Sequence, residues 1–425
     1  LRQIFRLLAK FTSLNPKIQL HLNIMNLIQI TTENFRTFHD AARILYQGDS
    51  NRIAPLDMEI ENIFDPSKND LFKDGEAIRW ILQDDSGHCI GRVAAFINYH
   101  KARKSEIPAG GIGFFECIDS QEAANLLFDA GKKWLLERGM KAMDGSINFG
   151  ENFSYWGVLV EGFTQQGYGM PYNKPYYQKL FETYGFRDFF QQHSYHIDIT
   201  KPFPERMVKF AEYQASRPGY SFRHYEKKNA GKYISDLVSV FNTTWSDYLE
   251  DFTPMTERDL DGVMESAKPV IVEDFIWFAY KDERPVGMVI AFPDLNQVLA
   301  HFNGRVNTWV KMLKFMLLKN GKTITRNRVL IAGVIPEYQN SGVIGSLFLQ
   351  FTNATKSRKH YTEIELSWVG DYNPRMRKVY EQIGAVPKKK HITYRYMLDP
   401  AVPFNRFTNE RGNSNLRKDS LKKDE

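Results

Sequence analysis

The chain repeats itself, and the repeat limits what it can fold into. Trp80-Ile-Leu-Gln-Asp-Asp-Ser-Gly-His-Cys-Ile-Gly-Arg-Val-Ala-Ala-Phe96 reads as strand, polar turn, strand. Trp277-Phe-Ala-Tyr-Lys-Asp-Glu-Arg-Pro-Val-Gly-Met-Val-Ile-Ala-Phe292 reads the same way, and the two tryptophans lie 197 residues apart. A second pair follows: Tyr172-Asn173, Phe181 and Gly185-Phe186 match Tyr372-Asn373, Tyr380 and Gly384-Ala385 at offsets of 199 or 200. Two pairs with nearly one offset predict a tandem duplication. The halves are 25–200 and 201–400. The prolines of Thr200-Lys-Pro-Phe-Pro204 mark the junction.

Each half runs in the same order. The first opens with a strand (Leu27–Ile30) and a helix bearing Phe35, Phe38, Ala42 and Leu45 on one face. The 80–100 hairpin, a strand at Gly111–Ile118 and a helix from Ser120 to Arg138 follow, with Gly139 as the stop. The second half has a strand at Tyr220–Tyr225, helices across 230–268, the 275–293 hairpin, a strand at Thr362–Val369 and a helix at Pro374–Gln382. Strands alternating with helices after a leading hairpin predict an α/β class with a mixed sheet, in two tandem domains.

The net charge is +6, but residues 1–24 and 401–425 carry all of it. Residues 25–400 sum to zero, which excludes a basic nucleic-acid footprint on the body. The first methionine is Met25, so residues 1–24 read as a targeting leader or a misassigned start and are left out of the fold. Residues 401–425 are polar and charged, as expected of a disordered tail. The two cysteines, Cys89 and Cys117, fit reduced core thiols of a cytoplasmic protein, and no metal site is expected.

The segment Ile331-Ala-Gly-Val-Ile-Pro-Glu-Tyr-Gln-Asn-Ser-Gly-Val-Ile-Gly-Ser-Leu-Phe348 carries the clearest chemistry. An apolar strand ends near Val334, because Pro336 cannot continue it. Helical spacing resumes at Val343, Ile344, Leu347, Phe348 and Phe351. The first N–H groups of a helix lack internal partners and face a positive dipole end, so a glycine-containing turn there can hold a phosphate. The segment has neither a P-loop Lys-Ser/Thr nor a dinucleotide Gly-x-Gly-x-x-Gly.

This segment resembles the acyl-CoA pyrophosphate loop of the GNAT superfamily of N-acyltransferases, Gln/Arg-x-x-Gly-x-Gly/Ala. Gln339 and Gly342 match it; Ile344 stands at the last position and Gly345 follows one residue late. Asn373-Pro-Arg-Met-Arg-Lys-Val-Tyr380-Glu-Gln-Ile-Gly384-Ala385 resembles the second signature, with Asn373, Tyr380 and Gly384 in register, Met376 in place of Ala and Ala385 in place of Phe. The resemblance implies an acetyl-CoA or longer acyl-CoA co-substrate and a small-molecule or lipid amine acceptor; a carrier-protein donor is the alternative. It implies cofactor contacts from Val334, Gln339, Asn340, Ser341, Gly342, Val343, Gly345 and Asn373. Tyr380 would protonate the departing thiolate. Glu365, on the polar face of the 362–369 strand, is the candidate base.

Where the first half should carry its cradle it reads Glu116-Cys-Ile-Asp-Ser-Gln-Glu-Ala123, acidic and free of glycine. This half is therefore expected to be non-catalytic. Its long insertion Asn148–Tyr172 is expected to help build a substrate pocket. The stripe Trp309, Met312, Leu313, Met316 and Leu317 reads first as an inserted helix packed on the core. The alternatives are peripheral membrane contact through 307–319 and a groove for an acyl chain. The leading function is an acyl-CoA-dependent N-acyltransferase, long-chain amines such as sphingoid bases among its acceptors; the runner-up is a silent ligand-binding protein of the same fold.

Overall fold

The computed structural model describes residues 25–149, 154–246 and 254–408; the side chains of 261–263, 265 and 266 are also outside the description. The leader at 1–24 and most of the tail therefore lie outside the described residues. The start of the tail does not: Phe407 donates its N–H to Phe189 O at 3.0 Å and packs on Tyr372.

Both halves follow the order read from the sequence. The first has β1 (Asn26–Gln29), α1 (Phe35–Leu45), β2 (Gly75–Gln83), β3 (Cys89–Asn98), β4 (Ala109–Cys117), α2 (Gln121–Leu136), β5 (Ala142–Gly145), β6 (Val158–Glu161), α3 (Tyr177–Tyr184) and β7 (Arg187–Asp198). After it come α4 (Glu205–Ser216), β8 (Tyr220–His224), α5 (Ala230–Trp245), β9 (Ile276–Lys281), β10 (Arg284–Pro293), α6 (Trp309–Asn320), β11 (Arg326–Val334), α7 (Val343–Lys356), β12 (Glu363–Gly370), α8 (Pro374–Gln382) and β13 (Val386–Met397). The repeated hairpins are β2–β3 and β9–β10. Helices α3 and α8 both end on a left-handed glycine, Gly185 (φ 110°) and Gly384 (φ 85°), which closes the last turn without a Cβ clash.

All thirteen strands form one sheet, in the order β1-β2-β3-β4-β5-β13-β7-β12-β11-β10-β9-β8, with β6 also on β13. Among the described residues, only β4–β5 and β11–β12 run parallel. The halves exchange their last strands. β7 pairs with β12 of the second half, and β13 returns to pair with β5 of the first. The two exchanged strands also pair with each other, from Val386↔His196 to Arg395↔Arg187.

The division at residue 200 follows the chain but not the cores. Tyr195, Ile197 and Ile199 pack in the core of the second half. Ile392, Tyr394 and Leu398 pack in the core of the first. Each fully buried large apolar side chain contributes about 1.5–3 kcal/mol, so each half depends on the other for part of its stability.

Candidate functional site

Strands β11 and β12 hold register only from Arg326↔Glu363 to Val329↔Leu366. Both continue, to Val334 and Gly370, so their C-terminal ends part. A bulge leaves Leu330 without a partner on β10 and bends β11 at that point. The turn into α7 and the start of α8 sit at the opened ends. Trp245 of α5 lies over Gly333, where a Cβ would meet its ring at 2.7 Å.

Gly342 turns the chain into α7 at φ 86°. A Cβ there would also lie 2.3 Å from the Phe210 ring of α4, so glycine is required twice over. Ser341 spends its hydroxyl on Tyr338 O at 2.6 Å, and its Oγ lies 3.4 Å from the Val343 N–H. The N–H groups of Ile344 and Gly345 meet no acceptor among the described residues. No atom approaches a Cβ built on Gly345 within 4 Å. Unspent donors at a helix N-terminus beside open space fit an anionic group such as a pyrophosphate. The one-residue displacement of Gly345 therefore leaves an open donor site.

Gln339 and Asn340 are struts. Gln339 donates Nε2 to Val334 O at 3.2 Å, and its Oε1 accepts from Arg375 Nη1 at 2.8 Å. Arg375 also reaches Asn340 Oδ1. This arginine, which the sequence reading passed over, brings a positive charge to the turn. Its signal was available: it follows the helix-starting Asn373-Pro374. Asn373 caps α8, its Oδ1 accepting from Met376 N at 3.1 Å, so its side chain serves the local loop.

Tyr380 lies two turns further along α8 and is buried. Its ring packs edge-on against Tyr195 at 5.3 Å and Phe348 at 6.1 Å. Burial pushes its phenol well above the ordinary value, so it keeps its proton across the physiological range. The strand exchange supplies one wall of this residue, because Tyr195 belongs to β7.

Glu365 is not beside Tyr380. Asn327 reaches Thr355 of α7, so that face of β11 carries α7 and, with it, Tyr380. Side chains alternate along a strand, which puts Arg326, Arg328 and Glu365 on the opposite face. There Glu365 is buried, 3.6 Å from Arg326, with Oε1 lacking a partner. Arg326 is bound at 2.6 Å to Asp294, which also accepts the Tyr168 N–H at 2.9 Å. Burial disfavours the Arg326 charge, but Asp294, Glu365 and Glu363 outweigh it and raise its pKa. Burial lowers the pKa of Arg328 and of Lys389. The 162–170 part of the insertion roofs this cluster: a Cβ on Gly167 would meet Arg328 at 3.2 Å and Glu365 at 3.4 Å. The candidate base is thus part of a buried ionic cluster that ties the insertion to the second half.

In the first half the parallel register stops after Ile112↔Gly145 because β5 ends there, and Ile147 N still donates to Ile112 O at 2.9 Å. At its helix start Ser120 Oγ accepts the Ala123 N–H at 3.3 Å, while the Gln121 and Glu122 N–H groups, like those of Ile344 and Gly345, meet no acceptor among the described residues. Tyrosines of the α3 region plug the strand end. Tyr177 donates to Glu116 Oε2 at 3.0 Å and accepts from Cys117 N at 2.9 Å, and Tyr176 donates to Cys117 O at 2.7 Å. Behind them is a cavity of about 70 Å³, lined by Arg52, Arg92, Glu116, Tyr155 and Tyr168 among others. Arg92 binds Glu116 at 3.3 Å, and its Nε lacks a partner. The insertion walls this cavity through Gln166 and Tyr168–Tyr172. Nothing in the linear sequence marks Arg92 or Glu116 as lining one space.

No family model matches the chain. It is 26% identical over 397 residues to Protein YghO of Escherichia coli (strain K12), covering 90% of this chain and 99% of that protein. It is 28% identical over 356 residues to the bacterial ceramide synthase of Caulobacter vibrioides (strain NA1000 / CB15N), covering 81% and 90%. Among solved structures, a tandem GNAT protein from the clavulanic acid biosynthesis pathway superposes with a TM-score of 0.53 at 9% identity, covering 90% of this chain and 100% of that one. With one parallel strand pair in each half, its repeated hairpins and this superposition, the chain has the tandem GNAT fold.

Proposed function

We propose that the chain is an acyl-CoA-dependent N-acyltransferase with one working site, in the second half. The observation that carries this reading is the open start of α7: the Ile344 and Gly345 N–H groups are unspent and Gly345 borders free space, whereas the matching turn of the first half is acidic and has its strand end bonded by Tyr176 and Tyr177. Bound acyl-CoA would supply a thioester whose carbonyl carbon an amine attacks, forming the amide as the C–S bond breaks. The α7 N–H groups and Arg375 would hold the pyrophosphate. Tyr380 holds a phenolic proton at the start of the reaction and would give it to the departing sulfur. The proton lost by the ammonium would go to water or to a group on the acceptor side. Glu365 serves only if the ionic cluster opens. The Caulobacter relative, named a bacterial ceramide synthase, favours a long-chain amine acceptor over a small polar one.

The first-half cavity supports a second reading, a ligand-binding protein of the same fold without turnover. Tyr380→Phe separates the two. An enzyme loses roughly a hundredfold or more in thiol release while keeping its CoA affinity by calorimetry. Absence of CoA binding to the wild type would sink the first reading; CoA binding without acyl transfer to any of a panel of amines would favour the second.

A further inference from the structure

Helix α6 is the most exposed apolar feature of the molecule. Trp309 is 78% exposed and Leu317 67%, and Val310, Met312, Leu313 and Met316 are exposed as well. At ~100° per residue these six positions fill one continuous arc of ~160°. Phe315 and Leu318 point the other way and pack on the core of the second half, so the helix is anchored rather than loose. Thr308 caps it, accepting from Lys311 N at 3.3 Å. The helix packs on the core, but not through the stripe: Trp309, Met312, Leu313, Met316 and Leu317 face outward. Two of the other apolar residues, Phe315 and Leu318, do the anchoring.

The charge along this stretch of chain is one-sided. No acidic residue occurs between Leu295 and Pro336, a stretch that contains Lys311, Lys314, Lys319 and Lys322. Two arginines of the stretch have their charges met by acids from elsewhere, Arg305 by Asp40 and Asp57 and Arg326 by Asp294. Lys314 lies over the Phe302 ring at 5.5 Å and Lys319 donates to Pro269 O at 2.6 Å, both on the flanks of the apolar arc. The helix has 12 residues. At ~1.5 Å each it spans ~18 Å, well short of the ~30 Å hydrocarbon core, so it cannot cross a bilayer. An apolar arc rimmed by lysines matches the boundary between acyl chains and anionic head groups.

We propose that α6 docks the protein on the surface of a membrane rich in anionic lipid, its apolar arc among the acyl chains and its lysines at the head groups. The inference stands on this face alone, independent of acyl transfer. The test is sedimentation of the full chain with phosphatidylcholine vesicles, with and without phosphatidylglycerol. The wild type is expected to bind the phosphatidylglycerol vesicles at least roughly tenfold more tightly, the preference falling with salt. Leu313→Asp with Leu317→Asp is expected to weaken that binding at least roughly tenfold without changing Tm, because both side chains face outward. Lys314→Ser with Lys319→Ser is expected to remove the lipid preference. Wild-type failure to bind either vesicle overturns the proposal, and so does equal binding by the leucine variant. A concentration-dependent dimer that the leucine variant abolishes, without vesicle binding, would assign the face to a second copy instead.

Discussion

The two halves carry matching hairpins and one parallel strand pair each, yet they finish the turn that follows with different chemistry. At 116–123 a serine caps the helix and two tyrosines bond the strand end. At 334–345 a left-handed glycine opens the helix and leaves two N–H groups unspent. Both helix starts keep two N–H groups without an acceptor among the described residues, so the surroundings make the difference. The first half bonds its strand end with tyrosines and keeps a cavity beneath its own insertion, while the second leaves its helix start open.

Separating the halves should have the largest effect. A chain cut at residue 200 leaves each core without the strand that completes it, so neither fragment alone should show a cooperative thermal transition. Co-expressed, the fragments should co-purify through the β7–β13 ladder. Two independently stable fragments would show that the exchanged strands are dispensable.

Changing the open turn comes next. Gly345→Glu places a negative charge and bulk in free space at the helix start. CoA affinity should fall at least roughly tenfold in calorimetry, while Tm stays level or rises, since glycine inside a helix costs about 1 kcal/mol. Unchanged affinity would move the pyrophosphate elsewhere.

Acid should weaken the seam between the halves. Burial holds the His391 imidazole down to about 3, and it lowers His193 as well. The unfolded chain takes up these protons near pH 6.5 and the folded one does not, so stability is present above that pH and falls as pH drops toward 3. His391 alone contributes about 1.4 kcal/mol per pH unit across the window. Urea melts between pH 7 and 5, above the range of the carboxylates, should show the slope, and His391→Gln should flatten it.

The smallest effect concerns the closed turn. Ser120→Ala should cost about 1 kcal/mol of stability and leave CoA binding unchanged. A rise in CoA affinity would mean that capping alone keeps the first half closed.

Much of this was legible in the residues. The hairpins follow from alternation, the α2 start from Ser120, the α8 start from Asn373-Pro374 and the turn at Gly342 from its neighbours, because each is decided within a few positions. Glu365 was assigned to a polar face correctly, but which layer covers that face depends on an insertion some 200 residues earlier. Asn373 has two readings in the sequence, a ligand contact or a brace for the local loop, and its oxygen braces its own helix. The stripe on α6 gave the helix and its apolar arc, yet not the direction of that arc: Phe315 and Leu318 anchor it inward, and periodicity does not say which side of a mixed helix meets the core.

The sequence by itself determined the duplication, the local elements, and which half keeps a glycine-opened turn, because backbone conformation and capping are short-range. Only the tertiary structure decided that β7 and β13 change places, that Tyr195 comes to flank Tyr380, and that Arg92 and Glu116 share a cavity. Strand pairing and burial are set by surfaces far apart in the chain, and an alternating strand fits either neighbour until the whole sheet assigns it one.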